Sequence, residues 1–411
     1  MSAKTQTSGQ VNALTINFPN VVFVLFNHVA FVASFWLIKI DSITRNTWIV
    51  TILLYFLTIF SLTAGYHRMY AHKAFSGSSL FRMITLFFGA GSFVGSALQW
   101  CKLHRTHHRF IGSSKDPFNI RAGLFHAHIG WLFYNYKDDT SNEPGLEYSD
   151  LIKDSSLKLQ HNLYYVWFLA SSFGVPVLLA GFTQQDLLTV VVVAGLWREM
   201  VASHAFLTMH SLCHVMGLQS FGDSAARDMP ILSLLTLGEG YQNFHHEFPN
   251  DFRLGRSVFD FDVAKIIIYV LSLVGVVSGL KKEKDSEIRS KQIAWKQKCI
   301  DKAKRGLDFG PDEEQLPIWT WESIDQKTAK GEKLVIVDGI VHDVSDFIKK
   351  HPGGARVIVE RLGKDSTIGF NGGVYRHTKA ARNLAAMYRV ARLPKHEIDV
   401  RAQKDHIPPP W

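Results

Sequence analysis

Cysteine is nearly absent. Cys101, Cys213 and Cys299 are the only three, too widely spaced for a disulfide framework or a paired metal knuckle. Two other short metal motifs are also missing. No His-Glu-x-x-His occurs, so a zinc protease has no support. No glutamate is followed three residues later by histidine, which removes the carboxylate di-iron helix bundle. The first 20 residues are polar, with no basic stretch leading into a short apolar core, so no cleavable signal is expected. The net charge of +9 is not gathered into a basic stripe interleaved with aromatics. Nucleic acid is therefore not an expected partner; a negatively charged membrane face or an acidic carrier is.

What is abundant is apolar sequence, 47% of 411 residues, crowded into the first 280. A bilayer core of about 30 Å needs roughly 20 apolar residues in a helix. Runs 21–38 and 47–64 form one close pair, and runs 163–182 and 187–206 a second, so four spans in two hairpins are expected. Runs 83–98 and 266–280 are read as interfacial or re-entrant helices. Arg and Lys crowd the long loop 66–162, whereas the turns on the other side hold only Lys39 and Arg45. The positive-inside rule then puts that loop and both termini in the cytosol. The expected organisation is a polar tail (1–20), a membrane domain (21–280), a charged linker (281–317), a small globular domain (318–395) and a tail (396–411).

Nineteen histidines fall largely into four clusters: His67 and His72; His104, His107 and His108; His210 and His214; His245 and His246. Each sits at or just past the end of an apolar run, on one predicted side. Spacings of three or four put imidazoles on one helix face. Nine imidazoles exceed what one four-coordinate zinc can use, and two ions with four or five nitrogen ligands each would fit. All-nitrogen ligation suits iron, zinc, copper or nickel. His28, His126, His128, His161 and His204 lie outside the clusters and are read as ordinary polar residues. A membrane metal transporter would instead carry ionisable ligands midway through its spans.

The boxes, together with Asp116-Pro117-Phe118-Asn119, His128-Ile129-Gly130-Trp131 and the segment from Gly238 to Pro249, resemble the membrane acyl-CoA desaturases over residues 20–262. The resemblance implies two irons held by His67, His72, His104, His107, His108, His214, His245 and His246, with no other catalytic side chain. In two places the chain departs from that pattern. Gln242 stands where the family usually has histidine, and His210 where it usually has an asparagine acting through water. His210 is expected to compensate as a direct ligand, with Gln242 in a supporting role. Leu103 replaces an aspartate of the animal members. Lys102, Arg121 and Lys137 are candidates for contact with the acyl carrier.

Beyond 317, residues 334–342 read as a β-hairpin turning on Asp338-Gly339. His351-Pro352-Gly353-Gly354 follows, and later His377. Two histidines at the edge of an apolar pocket can clamp a haem iron from both faces, which suits single-electron transfer. Residues 318–393 look like cytochrome b5, which implies haem b on His351 and His377. The whole resembles the fungal delta-9 desaturases: an α-helical membrane protein with a cytosolic helical cap and a C-terminal α+β haem domain. The implied reaction inserts a cis double bond into long-chain C16/C18 acyl-CoA. It uses O2 and electrons from NADH, passed through a cytochrome b5 reductase, at the endoplasmic reticulum membrane. Desaturation at another position and lipid hydroxylation at the same site are the alternatives.

Overall fold

The computed structural model describes residues 15–136, 145–305, 308, 310–398 and 400–405. It divides into two compact units, Met1–Lys296 and Gln297–Trp411.

The first unit is helical. Helix α1 (Phe18–Leu37) starts where the Asn17 side chain accepts from the Asn20 N–H, with Pro19 in the first turn, where a missing N–H costs nothing. Val24, Asn27 and Ser34 face inward, while Phe18, Phe26 and Trp36 are largely exposed. An uncovered apolar stripe of this length suits lipid contact. Helix α2 (Arg45–Ala71) is capped by Thr44. Helix α6 (Leu187–His214) is the third element long and apolar enough to cross a bilayer.

The expected run 163–182 is not one regular helix. It forms α5 (Tyr164–Leu178), a turn at Leu179 and a short piece, Ala180–Thr183. Pro176 has no N–H to donate, so the ladder loses a bond there. The backbone widens into a π turn over Ala170–Gly174, and the Leu179 N–H takes the Val175 and Pro176 carbonyls. The polar turns of both hairpins meet: the Thr44 hydroxyl donates to the Thr183 carbonyl at 2.7 Å, and the Thr44 N–H to Gln185 Oε1 at 2.8 Å.

The run 83–98 also splits. Helix α3 (Ser79–Gly89) ends, the chain turns through Gly91 and Gly95, and α4 (Ala97–Phe110) begins on the cap of Ser96. The second doubtful run gives only α8 (Val263–Leu273), which follows α7 (Gln242–Glu247). Helices α3 and α8 have 11 residues each. At ~1.5 Å per residue that is about half a bilayer core, so neither crosses one alone. A buried ion pair ties α2 to the start of α8: Arg68 Nη2 donates to Asp262 Oδ1 at 2.9 Å, and Nη1 to the Phe252 carbonyl.

Helix α9 (Asp285–Lys304) carries the chain across the division between units. The second unit has α10 (Trp321–Ala329) and an antiparallel sheet of β1 (Leu334–Val337), β2 (Ile340–Asp343) and β3 (Arg389–Arg392). Asp338 and Gly339 both have positive φ, as a type I′ hairpin turn requires. Trp321, Ile324, Leu334, Ile336, Val341, Ala391 and Leu393 form its core.

Candidate metal centres

His67 and His72 are five residues apart. At ~100° per residue an α-helix would set them about 140° apart, on different faces. Instead α2 changes to i→i+5 bonding over Ser61–Ala71, and the His72 N–H reaches the His67 carbonyl at 3.1 Å. The wider turn brings the ring centroids to 4.9 Å. Helix α4 supplies His104, His107 and His108, the end of α6 supplies His210 and His214, and α7 supplies His245 and His246.

These rings form two adjacent groups. In one, a nitrogen from each of His67, His72, His104, His108 and His245 lies within 4.8 Å of the others; in the second the same holds for His107, His214 and His246. Helices α4 and α7 each divide their histidines between the groups, and His108 stacks on His246 at 4.1 Å across the boundary. In the larger group the Nε2 atoms converge: His67 on His245 at 2.9 Å, His104 on His72 at 2.8 Å, His108 on His104 at 3.1 Å. Burial, reinforced by neighbouring imidazoles, holds His104, His108, His245 and His246 well below the ordinary histidine value. The rings therefore present lone pairs to one another. In the smaller group the Nε2 atoms of His107, His214 and His246 are buried without a partner. Converging lone pairs and orphaned nitrogens are what a cation would satisfy, so these residues fit metal ions.

Three of the outward nitrogens face an acceptor, and the Nδ1 of His245 is buried without one. His67 Nδ1 lies 2.8 Å from Glu239 Oε2, and the Thr63 hydroxyl also donates to Glu239. His107 Nδ1 lies 2.8 Å from Asp116 Oδ1. Burial raises the Asp116 carboxyl, but His107 and the N–H groups of Gly112 and Phe118 outweigh it and hold it below its usual value. His214 Nδ1 meets the Met209 carbonyl at 2.9 Å. One buried carboxylate thus stands behind each group, and the bond between His107 Nδ1 and Asp116 fixes a tautomer that leaves Nε2 of His107 free. Neither role was read from the sequence. The local signals were Asp116 nine residues after His107 and Glu239 three before Gln242.

The two family departures separate from the eight rings. His210 belongs to neither group; its Nε2 meets His104 Nδ1 at 3.2 Å, and its ring stacks on Phe118 at 3.9 Å. One of these two nitrogens carries the hydrogen between them. His210 thus stands against His104 and outside both groups, while its Nδ1 is buried without a partner, as are the Nε2 atoms of His107, His214 and His246. The Gln242 amide donates to the Glu239 carbonyl and carboxylate, at 2.9 and 3.1 Å, which is a supporting position behind His67. Of the carrier candidates, two lie among the described residues. Lys102 lies over the Tyr148 ring, Arg121 is in an exposed turn, and Lys137 falls outside the described residues.

In the second unit, His351 and His377 face each other with ring centroids 6.3 Å apart. His351 Nδ1 points to the Gly354 carbonyl at 3.3 Å and His377 Nδ1 to the Phe370 carbonyl at 3.0 Å, leaving each Nε2 available. Gly354 has φ of +91°, and a Cβ on Gly353 would strike the His351 ring at 2.9 Å, so the turn needs both glycines. Val335, Val344 and Ile348, with Phe347, Ile358 and Leu362 against them, form an apolar cluster in this unit. Paired imidazoles in a unit with such an apolar cluster fit a six-coordinate haem.

Residues 46–253 match the fatty acid desaturase family, and residues 320–394 match the cytochrome b5-like heme/steroid binding domain. Acyl-CoA desaturase 1 of Saccharomyces cerevisiae is 38% identical over 347 residues, covering 84% of this chain and 68% of that protein. A probable acyl-CoA desaturase of Schizosaccharomyces pombe is 36% identical over 347 residues, covering 84% and 71%. The Delta(9)-fatty-acid desaturase fat-7 of Caenorhabditis elegans is 28% identical over 252 residues, covering 61% and 74%.

Proposed function

The chain belongs to the fatty acid desaturase family, an acyl-CoA desaturase with a fused cytochrome b5 domain, and from that premise we propose how its residues divide the work. The five-imidazole group and the three-imidazole group each hold one iron, and His351 and His377 hold haem b. Bound iron supplies the oxygen activation needed to take hydrogen from an unactivated methylene. The observation that carries this reading is the pair of adjacent imidazole groups, each backed by one buried carboxylate.

The protein's part is orientation and exclusion of water. Glu239 fixes His67 and, through its backbone carbonyl and carboxylate, Gln242. Asp116 fixes His107, and Trp100, stacked on His104 at 4.6 Å, sets that ring's plane. The rings of His67, His104, His107 and His245 are almost wholly buried, so water is kept from the reacting carbons. We take 164–183 as a fourth crossing. Helix α5, the turn at Leu179 and the short piece Ala180–Thr183 together carry the chain toward the far side, and the far turn meets that of the first hairpin. The histidines and both termini then face the cytosol, at the endoplasmic reticulum membrane. Electrons come from NADH through a cytochrome b5 reductase. The substrate is a C16 or C18 acyl-CoA, desaturated at carbon 9, in keeping with the relatives' names.

Expression in cells without their own desaturase, with gas chromatography and double-bond localisation, tests this. New monoenes with the bond at carbon 9 are expected. A bond elsewhere overturns the regiochemistry, and hydroxylated acids overturn the reaction.

A further inference from the structure

The haem unit carries its net charge in one place. Residues 346–382, the stretch that holds His351 and His377, include eight basic and three acidic residues; the rest of 320–394 holds five of each, so its charges cancel. Of the three acids, Glu360 pairs with Arg356 at 2.6 Å and Asp365 is buried, which leaves Asp346. The cations are placed otherwise. Lys349 and Lys350 immediately precede His351, Arg376 immediately precedes His377, and Lys379 opens the helix Lys379–Ala386 just after it. All four are exposed, and their side chains make no ion pair or hydrogen bond among the described residues. The Arg382 guanidinium, 3.4 Å from Asp338, lies 5.2 Å over the Phe370 ring, which stacks on His377 at 4.2 Å. Tyr375 is 65% exposed, with its ring 5.6 Å from that of His377.

Grouped cations repel one another, so folding alone does not favour them. Holding the haem is the first alternative account. Haem b carries two carboxylates, half the number of unpaired cations here. An anionic bilayer is the second. A haem face laid on lipid headgroups is closed to a protein that delivers electrons, and receiving electrons is what such a unit does. An exposed tyrosine among arginines and lysines has instead the composition of a protein-binding patch. Complementary charge across such a patch speeds arrival and fixes orientation without a large apolar contact that would slow release.

We propose that the face around His351 and His377 is a docking surface for an electron-donor protein whose own docking face is acidic. This rests on the haem reading of the unit. One NADH gives two electrons and leaves NAD+ and H+; the donor passes the electrons singly, and each converts one ferric haem to ferrous. The surface is thus used twice for every NADH, which suits a brief, charge-guided encounter.

The test uses the full-length, haem-loaded chain in phosphatidylcholine nanodiscs, with purified cytochrome b5 reductase of the source organism. Its first arm needs no variant. Acetylation of Lys349, Lys350 and Lys379, read by mass spectrometry, should slow when the reductase is added. It should stay unchanged when phosphatidylserine replaces part of the lipid. Slowing by phosphatidylserine and not by the reductase would assign the face to the bilayer and overturn the proposal. In the second arm, reductase binding should weaken as salt is raised. Lys349→Gln with Lys350→Gln, and separately Arg376→Gln with Lys379→Gln, should each weaken it about tenfold at low salt with the haem absorption spectrum kept. Binding indifferent to salt and to both pairs would overturn it. So would variants that bind the reductase normally but slow haem re-oxidation by acyl-CoA and oxygen, since the face would then serve electron delivery. A chain that takes up no haem counts against the haem reading, and the acetylation pattern still decides whether the reductase covers this face.

Discussion

In the membrane unit eight imidazoles arrive from four elements, whereas in the haem unit two arrive from one short stretch of chain. The supporting groups differ as much as the numbers. His67 and His107 lean on the buried carboxylates Glu239 and Asp116; His351 and His377 lean on the backbone carbonyls of Gly354 and Phe370. The difference follows from charge. A porphyrin brings its own negative charge to iron, so neutral supports suffice. Imidazole-only groups bring none, and a buried dication there needs a compensating anion close behind its ligands. On the proposed reading, the carboxylates distinguish the imidazoles that would hold bare metal ions from those that would hold haem.

The strongest way to break this comparison is to remove one ligand from each unit. His246→Ala should drop non-haem iron from two per chain to one and abolish double-bond formation, while the haem spectrum is unchanged. His377→Ala should do the converse, losing haem and keeping both irons. Metal analysis with optical spectroscopy reads both, and loss of iron in His377→Ala would contradict the separation. A smaller effect is expected from Asp116→Asn, which keeps the hydrogen-bonding shape but removes the anion. Iron affinity should fall about 10- to 100-fold, read by competition with a chelator.

The smallest effect concerns pH. Burial, with Arg389 beside it, pushes His342 on β2 down to about 4 from an ordinary 6.5. Unfolding therefore takes up a proton. Its contribution to stability is full above pH 6.5 and is lost as the pH falls through about 4, up to about 3 kcal/mol in all. In the membrane unit, burial raises Asp150, but the paired bonds from Arg105 dominate and hold it at about 2. Its contribution persists above the ordinary carboxylate value and is lost only as the pH falls toward 2. On acidification the haem band should thus lose thermal stability first. His342→Gln should flatten that dependence.

The haem site was legible because its ligands, its turn and its hairpin lie in one local stretch, each element with its own composition signal. The pair His104 and His108 was legible from α-helical spacing. His67 and His72 were grouped correctly, but the rule invoked does not cover five residues. Only a π stretch makes that spacing work, and nothing in Ser61–Ala71 announces one. The motifs that contain the carboxylates assign them no role, because a supporting contact across 172 positions, as between His67 and Glu239, leaves no local pattern. The break within the run 163–182 has no signal in hydropathy, which weighs Pro176 as a residue and not as a missing donor.

The central claim is that the membrane unit is a two-iron site made of imidazole. The most direct measurement is Mössbauer spectroscopy of the 57Fe-loaded full-length chain, with haem quantified separately. Two non-haem irons per chain in nitrogen-rich, inequivalent surroundings, beside one haem, are the predicted result. A single non-haem iron, or none, in a chain that carries its full haem and makes the unsaturated product, would contradict the account.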